Sequence, residues 1–367
     1  MNKRERLLTT LDHKEPDTVP IAELAIDPVH VETILGTSFP NETSSPSLAD
    51  RRRRETAIVD ATVRAYAKLG FDMIACEPSA PDEWTSHPNR DGTVNDEWGR
   101  VLSYDPNARV WIQTGSIFNS REEFEGFDFP NSDASGRTYA IEQMKKRIKD
   151  EIALAGLIRD SFVYTWEMFR ITDFVRWLYE KPDFIRRVIE RVTDFNLEVT
   201  KQMIDAGVDV FFGDGDYCEK KGPLVPVKFF KDVIFPNLQR QVEAVHKAGL
   251  KFIKHTDGNM NLIMPDLARI VDGLHSLDPT AGMNIGDVKR TYGDKLVLMG
   301  NVAVDNLCTR TPQDIIEETK SCLRDAAPGG GFILSSSNSW YASAKIENCQ
   351  AMIDTGRRYG RYPIEIA

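Results

Sequence analysis

The chain has 367 residues, of which 41% are apolar and 28% charged, and its net charge is −10. That balance describes an ordinary soluble globular protein, and the negative excess argues against nucleic acid or an anionic membrane as partner, since both are met by clustered Lys and Arg. Five cysteines (Cys76, Cys218, Cys308, Cys322 and Cys349) are scattered without a CxxC pair, which excludes a disulfide framework and a zinc ribbon and fits reduced thiols in a cytoplasmic protein.

The opening MNKRERLLTTLDHKEP has the pattern of a charged amphipathic helix and not of a signal peptide. No apolar stretch reaches the roughly 20 residues of a membrane span. The basic run Arg51–Arg54 begins a helical pattern and reads as a solvated face. Short apolar runs predict strands at 19–23, 71–76, 152–157, 208–212, 251–254, 273–277, 296–299 and 332–334. Longer helical patterns lie between them, among them 53–69, 182–206 and 226–248, each closed by a glycine (Gly70, Gly207, Gly249) just before the next strand. That is the signature of a left-handed helix C-cap.

Alternating strands and helices imply a parallel sheet with helices outside, and eight strands are the number that closes a TIM (β/α)8 barrel. A ninth strand or an open doubly wound sheet is compatible with the same pattern. The whole chain, 1–367, reads as one such α/β domain. An irregular excursion at about 79–130, after the second strand, is expected to act as a lid or a dimer contact. Homodimers are the ordinary expectation for such barrels.

Active sites of these barrels form at the C-terminal strand ends. Those ends carry Glu23, Glu77, Arg159-Asp160, Asp214 with Asp216, His255 with Asp257, Asp278, Asn301 and Ser335 to Asn338. Eight polar strand ends on one rim point to an enzyme. Singly, Asp216, Asp257 and Asn301 would also suit helix caps, and Glu23 and Glu77 buried salt bridges. In KFIKHTDGNMN, His255 and Asp257 fall on one side of the strand. They form either a metal site, with Asp216, Cys218 or Glu77 as third ligand, or a proton-transfer pair in which the carboxylate fixes the imidazole tautomer. The second is preferred, with Asp216 orienting the substrate. His275 reads as a satisfied structural histidine. Gly329-Gly330-Gly331 precedes a strand and makes a turn, not a phosphate loop.

Five stretches together carry a family resemblance: RERLLTTLDHKEPDTVP, GDGDYCEKKGPLVPVKFFKDVIFPNL, KFIKHTDGNMNLIMPDL, LDPTAGMNIGDVKRTYGDKLVLMGNV and GGGFILSSSNS. In this order they resemble the uroporphyrinogen decarboxylase superfamily over essentially the whole chain, which implies a TIM barrel. Where the decarboxylase branch carries an arginine-rich segment, this chain has VPIAELAIDPVHV. The methyltransferase branch exchanges methyl groups with a corrinoid protein, often with zinc on His-x-Cys and a distant Cys. The positions here are His255, Asp257 and Asn338, so only the histidine matches, and any metal would rest on His255.

The resemblance therefore implies a methyltransferase working between a small methylated donor, such as an aromatic O-methyl ether, and the corrinoid of a partner protein. His255, Asp257 and Asp216 would be catalytic. Glu23, Glu77, Trp166, Met168, Asn301 and Asn338 would line the substrate pocket, with Trp340 as a further wall. The alternative is a cofactor-free decarboxylase acting on a small acid or a porphyrinogen.

Overall fold

Short strands that are apolar on both faces need cover on both sides, and here they obtain it as a parallel sheet wrapped in helices. The computed structural model describes residues 1–38, 47–86 and 88–366. Seven strands, β1 (Met73–Cys76), β2 (Ala153–Arg159), β3 (Val210–Asp214), β4 (Phe252–Thr256), β5 (Gly273–Ser276), β6 (Val297–Val302) and β7 (Phe332–Ser336), lie side by side in chain order. Every neighbouring pair is parallel.

The eighth position is filled differently from the strand expected at 19–23. On one side, Leu334 N–H donates to Pro20 O (2.9 Å) and Ala22 N–H to Leu334 O (3.0 Å); on the other, Asp72 N–H donates to Ile21 O (2.8 Å). The segment thus bridges β7 and β1 and completes a TIM-type barrel. It does so through isolated bridges because Pro20 has no N–H to continue a ladder.

Period-two alternation divides the strand residues into two layers. Met73, Ala155, Val210, Phe212, Ile253, Met299 and Ile333 fill the barrel interior, sealed at the N-terminal end by Leu7 and Leu11 of the helix Lys3–Leu11. Ile74, Leu154, Phe211, Phe252, Leu274, Leu298 and Phe332 face the helices. The helices Leu48–Leu69 and Pro182–Asp205 are followed by Gly70 and Gly207 at φ +73° and +91°, and Gly249 stands at +74° before β4. No helix among the described residues is long and apolar enough to cross a membrane.

The excursion holds a three-stranded antiparallel sheet of Val94–Asn95, Arg100–Asp105 and Val110–Ser116. It is fastened to the helix Ser161–Met168, which leaves the C-terminal end of β2. Arg100 Nη1 donates to Glu167 Oε2 (2.5 Å), Gln113 Nε2 to Glu167 O (3.2 Å) and Ser116 Oγ to Met168 O (2.5 Å). The excursion therefore sits at the mouth of the barrel. Part of the basic run departs from the solvated face expected of it. Arg51 donates to the carbonyls of Pro81 and Asp82, and Arg52 to Asp82, Glu55 and the Gly136 carbonyl, so both tie the helix to the base of the excursion.

One buried cation holds the loop after β3. The Lys254 side chain points outward from β4, is fully buried, and donates to Gly215 O (2.7 Å) and Gly213 O (3.3 Å). Its Nζ lies 3.6 Å from Asp160 Oδ2 and 4.0 Å from the Tyr217 ring centroid. Burial lowers the Lys254 pKa, and Asp160 pulls it back up. Lys254→Met keeps the aliphatic stem but strands two carbonyls and leaves Asp160 without its counter-charge, held only by the Phe162 amide and the Tyr217 hydroxyl. It is expected to lower the unfolding free energy by roughly 3–5 kcal/mol, the cost of breaking a buried pair. Denaturant titration measures this, and a loss of about 1 kcal/mol or less, the scale of an exposed pair, would show that the loop holds without the lysine.

Candidate active site

The alternation that fills the interior also selects what reaches the mouth. Continuing the inward register of β1, β2, β3, β4 and β5 brings Glu77, Arg159, Asp214, His255 and His275 to the C-terminal end. Asp216 and Asp257 follow in the next loops. Gly215, at φ +137°, makes the turn between Asp214 and Asp216, and a Cβ there would lie 2.3 Å from Val163 Cγ2. Only glycine fits that bend.

His255 is buried at the floor of this cluster. Its Nε2 faces Asp214 Oδ1 at 3.8 Å, Asp216 Oδ1 at 3.9 Å and Asp257 Oδ1 at 3.9 Å, all too long for a hydrogen bond. Its Nδ1 meets Nδ1 of His275 at 2.8 Å. The expected arrangement, with Asp257 fixing the imidazole, is thus replaced by a histidine pair. His275 Nε2 in turn lies 3.2 Å from both Ser335 Oγ and Ser336 O. The two acids are tied together, since Asp257 N–H donates to Asp216 Oδ1 (2.8 Å), and Asn338 Nδ2 donates to Asp257 Oδ2. Asp257 Oδ1 is left buried with no hydrogen-bond partner among the described residues.

Asp216, His255 and Asp257 offer ligand atoms within 4.8 Å of one another. With an orphaned carboxylate oxygen and a free imidazole nitrogen facing each other, these residues fit a divalent cation. A donor set of imidazole and carboxylates without sulfur suits a hard or borderline ion and not a thiolate site. Cys218, weighed as a third ligand, is outside the cluster, and burial pushes its thiol up to about 12.

The mouth is rich in carboxylates. Arg159 is engaged by Glu167 (Nε to Oε2, 3.0 Å) and Asp214 (Nη1 to Oδ2, 2.7 Å), while Arg100 is held by Glu167 and by Asp96 (2.6 Å). Burial drives the Asp257 carboxyl up to about 6; His255 opposes the rise and Asp216 adds to it. Glu77 is open to solvent yet ringed by protein, as befits the wall of a concave mouth. Desolvation raises its pKa, and Arg159 resists.

The structure brings together His255, Asp257, Asp216 and Asn338, with Glu77 on the same mouth. It places the other expected pocket residues elsewhere. Glu23 is fully buried between the barrel and the helices, accepting from Ser336 N–H and Oγ–H (2.7 Å each). Asn301 leaves the interior register after Gly300 (φ +142°); its amide donates to Leu277 O (2.7 Å) and accepts from Cys322 Sγ (3.5 Å). Met168 and Trp340 are fully buried core, Trp340 edge-on to Phe71 at 5.6 Å, and Trp166 is half-buried against that core. The sequence places Asp214 on the rim without a role of its own and reads His275 as structural. The available signal was register: KFIKHT and GLHS are adjacent parallel strands, and His275 pairs directly with His255.

Residues 113–359 match the family "Uroporphyrinogen decarboxylase (URO-D)". No curated protein sequence matches the chain. Among solved structures, a methyltransferase from Methanosarcina mazei superposes with a TM-score of 0.77 at 18% identity, over 98% of this chain and 99% of that one. A D-psicose 3-epimerase from Clostridium cellulolyticum H10 gives a TM-score of 0.43 at 13% identity, covering 83% and 92% of the two chains.

Burial without a counter-ion raises the Glu23 carboxyl from 4.5 to about 8, with the Ser336 hydrogen bonds and, from beyond bonding distance, the Trp340 indole pulling it down. The native protein therefore keeps a proton that the unfolded chain releases. Its stability is full below about pH 4.5 and declines as pH rises towards about 8, by at most about 1.4 kcal/mol per pH unit. Glu23→Gln carries no such proton. Chemical denaturation across pH 5–9 is expected to show the variant gaining on the parent by a few kcal/mol towards the alkaline end. A difference that stays constant across that range would mean that the native carboxyl is ionised throughout.

Proposed function

The chain belongs to the uroporphyrinogen decarboxylase family, and from that premise we propose that it transfers a methyl group between a small methylated donor and the corrinoid of a partner protein. The observation that carries this reading is the corner at His255, where an imidazole nitrogen and three carboxylate oxygens converge at 3.8–3.9 Å without bonding one another. Such a corner stabilises a cation, whether a proton or a metal ion. Cleaving a methyl–oxygen bond requires that cation, because the bonding electrons stay on the leaving oxygen. The superposition on a methyltransferase over nearly the full length of both chains supports the same direction.

In this reading the methyl donor enters at the mouth between the Arg100–Asp105 strand and the loops after β3 and β4. The corrinoid's Co(I), when presented, supplies the electron pair that takes the methyl group. His255 Nε2 holds the proton that passes to the departing oxygen, and Asp216 and Asp257 stabilise the imidazolium beforehand. Should a divalent cation occupy the corner, His255, Asp216 and Asp257 would hold it and it would polarise that oxygen as a Lewis acid. Asn338 keeps Asp257 in place. Glu77, exposed on the opposite wall, orients the donor. A decarboxylase acting on an acid would want a free cation for the substrate carboxylate, whereas Arg100 and Arg159 are both already paired.

The test combines the purified protein, a corrinoid protein reduced to Co(I), and methyl-labelled ethers, amines and thiols. Label is expected to move to the corrinoid protein, with His255→Ala slowing transfer at least about 100-fold, as for a general acid. CO2 release from a small acid by the protein alone, with no transfer from any donor, would overturn the reading. Asp257 acts here as an anion, and its carboxyl titrates at about 6. The rate should therefore fall about tenfold per unit below that pH, and Asp257→Asn should be slow and lack this limb. An acid limb that persists unchanged in Asp257→Asn would assign it to another group.

A further inference from the structure

The two ring nitrogens of His255 have different partners, and the network behind the ring decides which one carries hydrogen. Ser335 Oγ lies 2.6 Å from Ser336 O and donates to it. Ser335 therefore turns a lone pair towards His275 Nε2, and Ser336 O, a carbonyl, can only accept. With two acceptors 3.2 Å away, His275 Nε2 must bear a hydrogen. The opposite tautomer would set its lone pair against the Ser336 carbonyl and would take the Ser335 hydrogen away from that carbonyl.

His275 is fully buried. No carboxylate among the described residues hydrogen-bonds it; its partners are His255, Ser335 and the Ser336 carbonyl, and a buried ring without a counter-charge stays neutral. A neutral ring with hydrogen on Nε2 has a lone pair on Nδ1. The 2.8 Å contact between the two Nδ1 atoms then leaves one arrangement: His255 donates from Nδ1, and its Nε2 is a lone pair.

We propose that His275 is a positioning residue that locks the neutral His255 ring in the Nδ1–H tautomer, so that Nε2 faces the Asp214, Asp216 and Asp257 corner bare until a cation enters. A lone pair facing three carboxylate oxygens is repelled until a cation enters between them. The fold thus prepares the corner to receive a proton or a metal ion instead of leaving it satisfied by an N–H. The lock has an anchor of its own: Ser336, whose carbonyl orients His275, is gripped through its N–H and hydroxyl by the buried Glu23. This assigns Glu23, well behind the mouth, to the far end of the chain Glu23–Ser336–His275–His255. What Nε2 does in catalysis rests on the methyl-transfer reading. The tautomer does not, and the two can fail separately.

The test is long-range 1H–15N correlation NMR on metal-free protein labelled at its six histidines, at a pH where the imidazoles are neutral, with His255 assigned by its loss in His255→Asn. His255 is expected in the Nδ1–H form, which is the less populated form of a free imidazole. An Nε2–H signal for His255 in the parent protein would overturn the proposal with no variant needed. His275→Asn, whose Oδ1 can replace the Nδ1 acceptor, should keep the Nδ1–H form. His275→Phe should lose it and shift His255 towards Nε2–H. Zn2+ affinity, read by chelator competition, should follow the tautomer, staying near the parent value in the Asn variant and falling about 10–100-fold in the Phe variant. Equal tautomer populations in the Asn and Phe variants would show that His275 only fills space.

Discussion

Register in a parallel ladder is the constraint on which the rest of this molecule turns. Because side chains alternate with a period of two, each strand's alignment with its neighbours decides which residues reach the barrel interior and which pass to the helices. β4 and β5 pair with His255 opposite His275; shifted by one residue, Lys254 would enter the mouth and both histidines would leave it. The same parity lines β1 to β3 with Glu77, Arg159 and Asp214, and it consigns Glu23 and Lys254 to the outer layer. There they brace the backbone from behind and take no part in the chemistry at the mouth.

Electrostatics at the mouth follow from that geometry. The two arginines that rise there are each neutralised by more than one acid, with Glu167 shared between them. Asp216 and Asp257 are thus left as an unpaired anionic corner around the His255 nitrogen. Removing two carboxylates from water side by side is costly, and the rise of the Asp257 carboxyl to about 6 expresses that cost. The hydrogen bonds from Asn338 and the Asp257 amide hold the acids in place.

The excursion attached at the mouth lies outside the repeating barrel. Arg100 binds the Glu167 carboxylate and Gln113 the Glu167 carbonyl, so one residue anchors both the excursion and Arg159. Arg51 and Arg52 fasten the base of the same excursion to the helix Leu48–Leu69. A run of four arginines that looks like a solvated face in one dimension is structural in part in three.

Barrel topology and most of the rim were legible in one dimension, since they follow from local patterns. Apolar runs, glycine-capped helices and polar strand ends need no knowledge of distant residues, and seven of the eight expected strands form close to their predicted places. The segment at 19–23 failed as a strand for an equally local reason, Pro20, although it occupies the expected position. His255, Asp257, Asp216 and Asn338 converge as expected because each lies at or just beyond a strand end, where any closed barrel would gather them. Glu23 and Asn301 occupy similar positions in the chain but are turned away, one by its parity and the other by the backbone at Gly300. The partnership of His255 with His275 instead of Asp257 depends on the alignment of two strands about twenty residues apart. Hydrogen bonds require particular distances between particular atoms, and those distances exist only once the strands lie side by side.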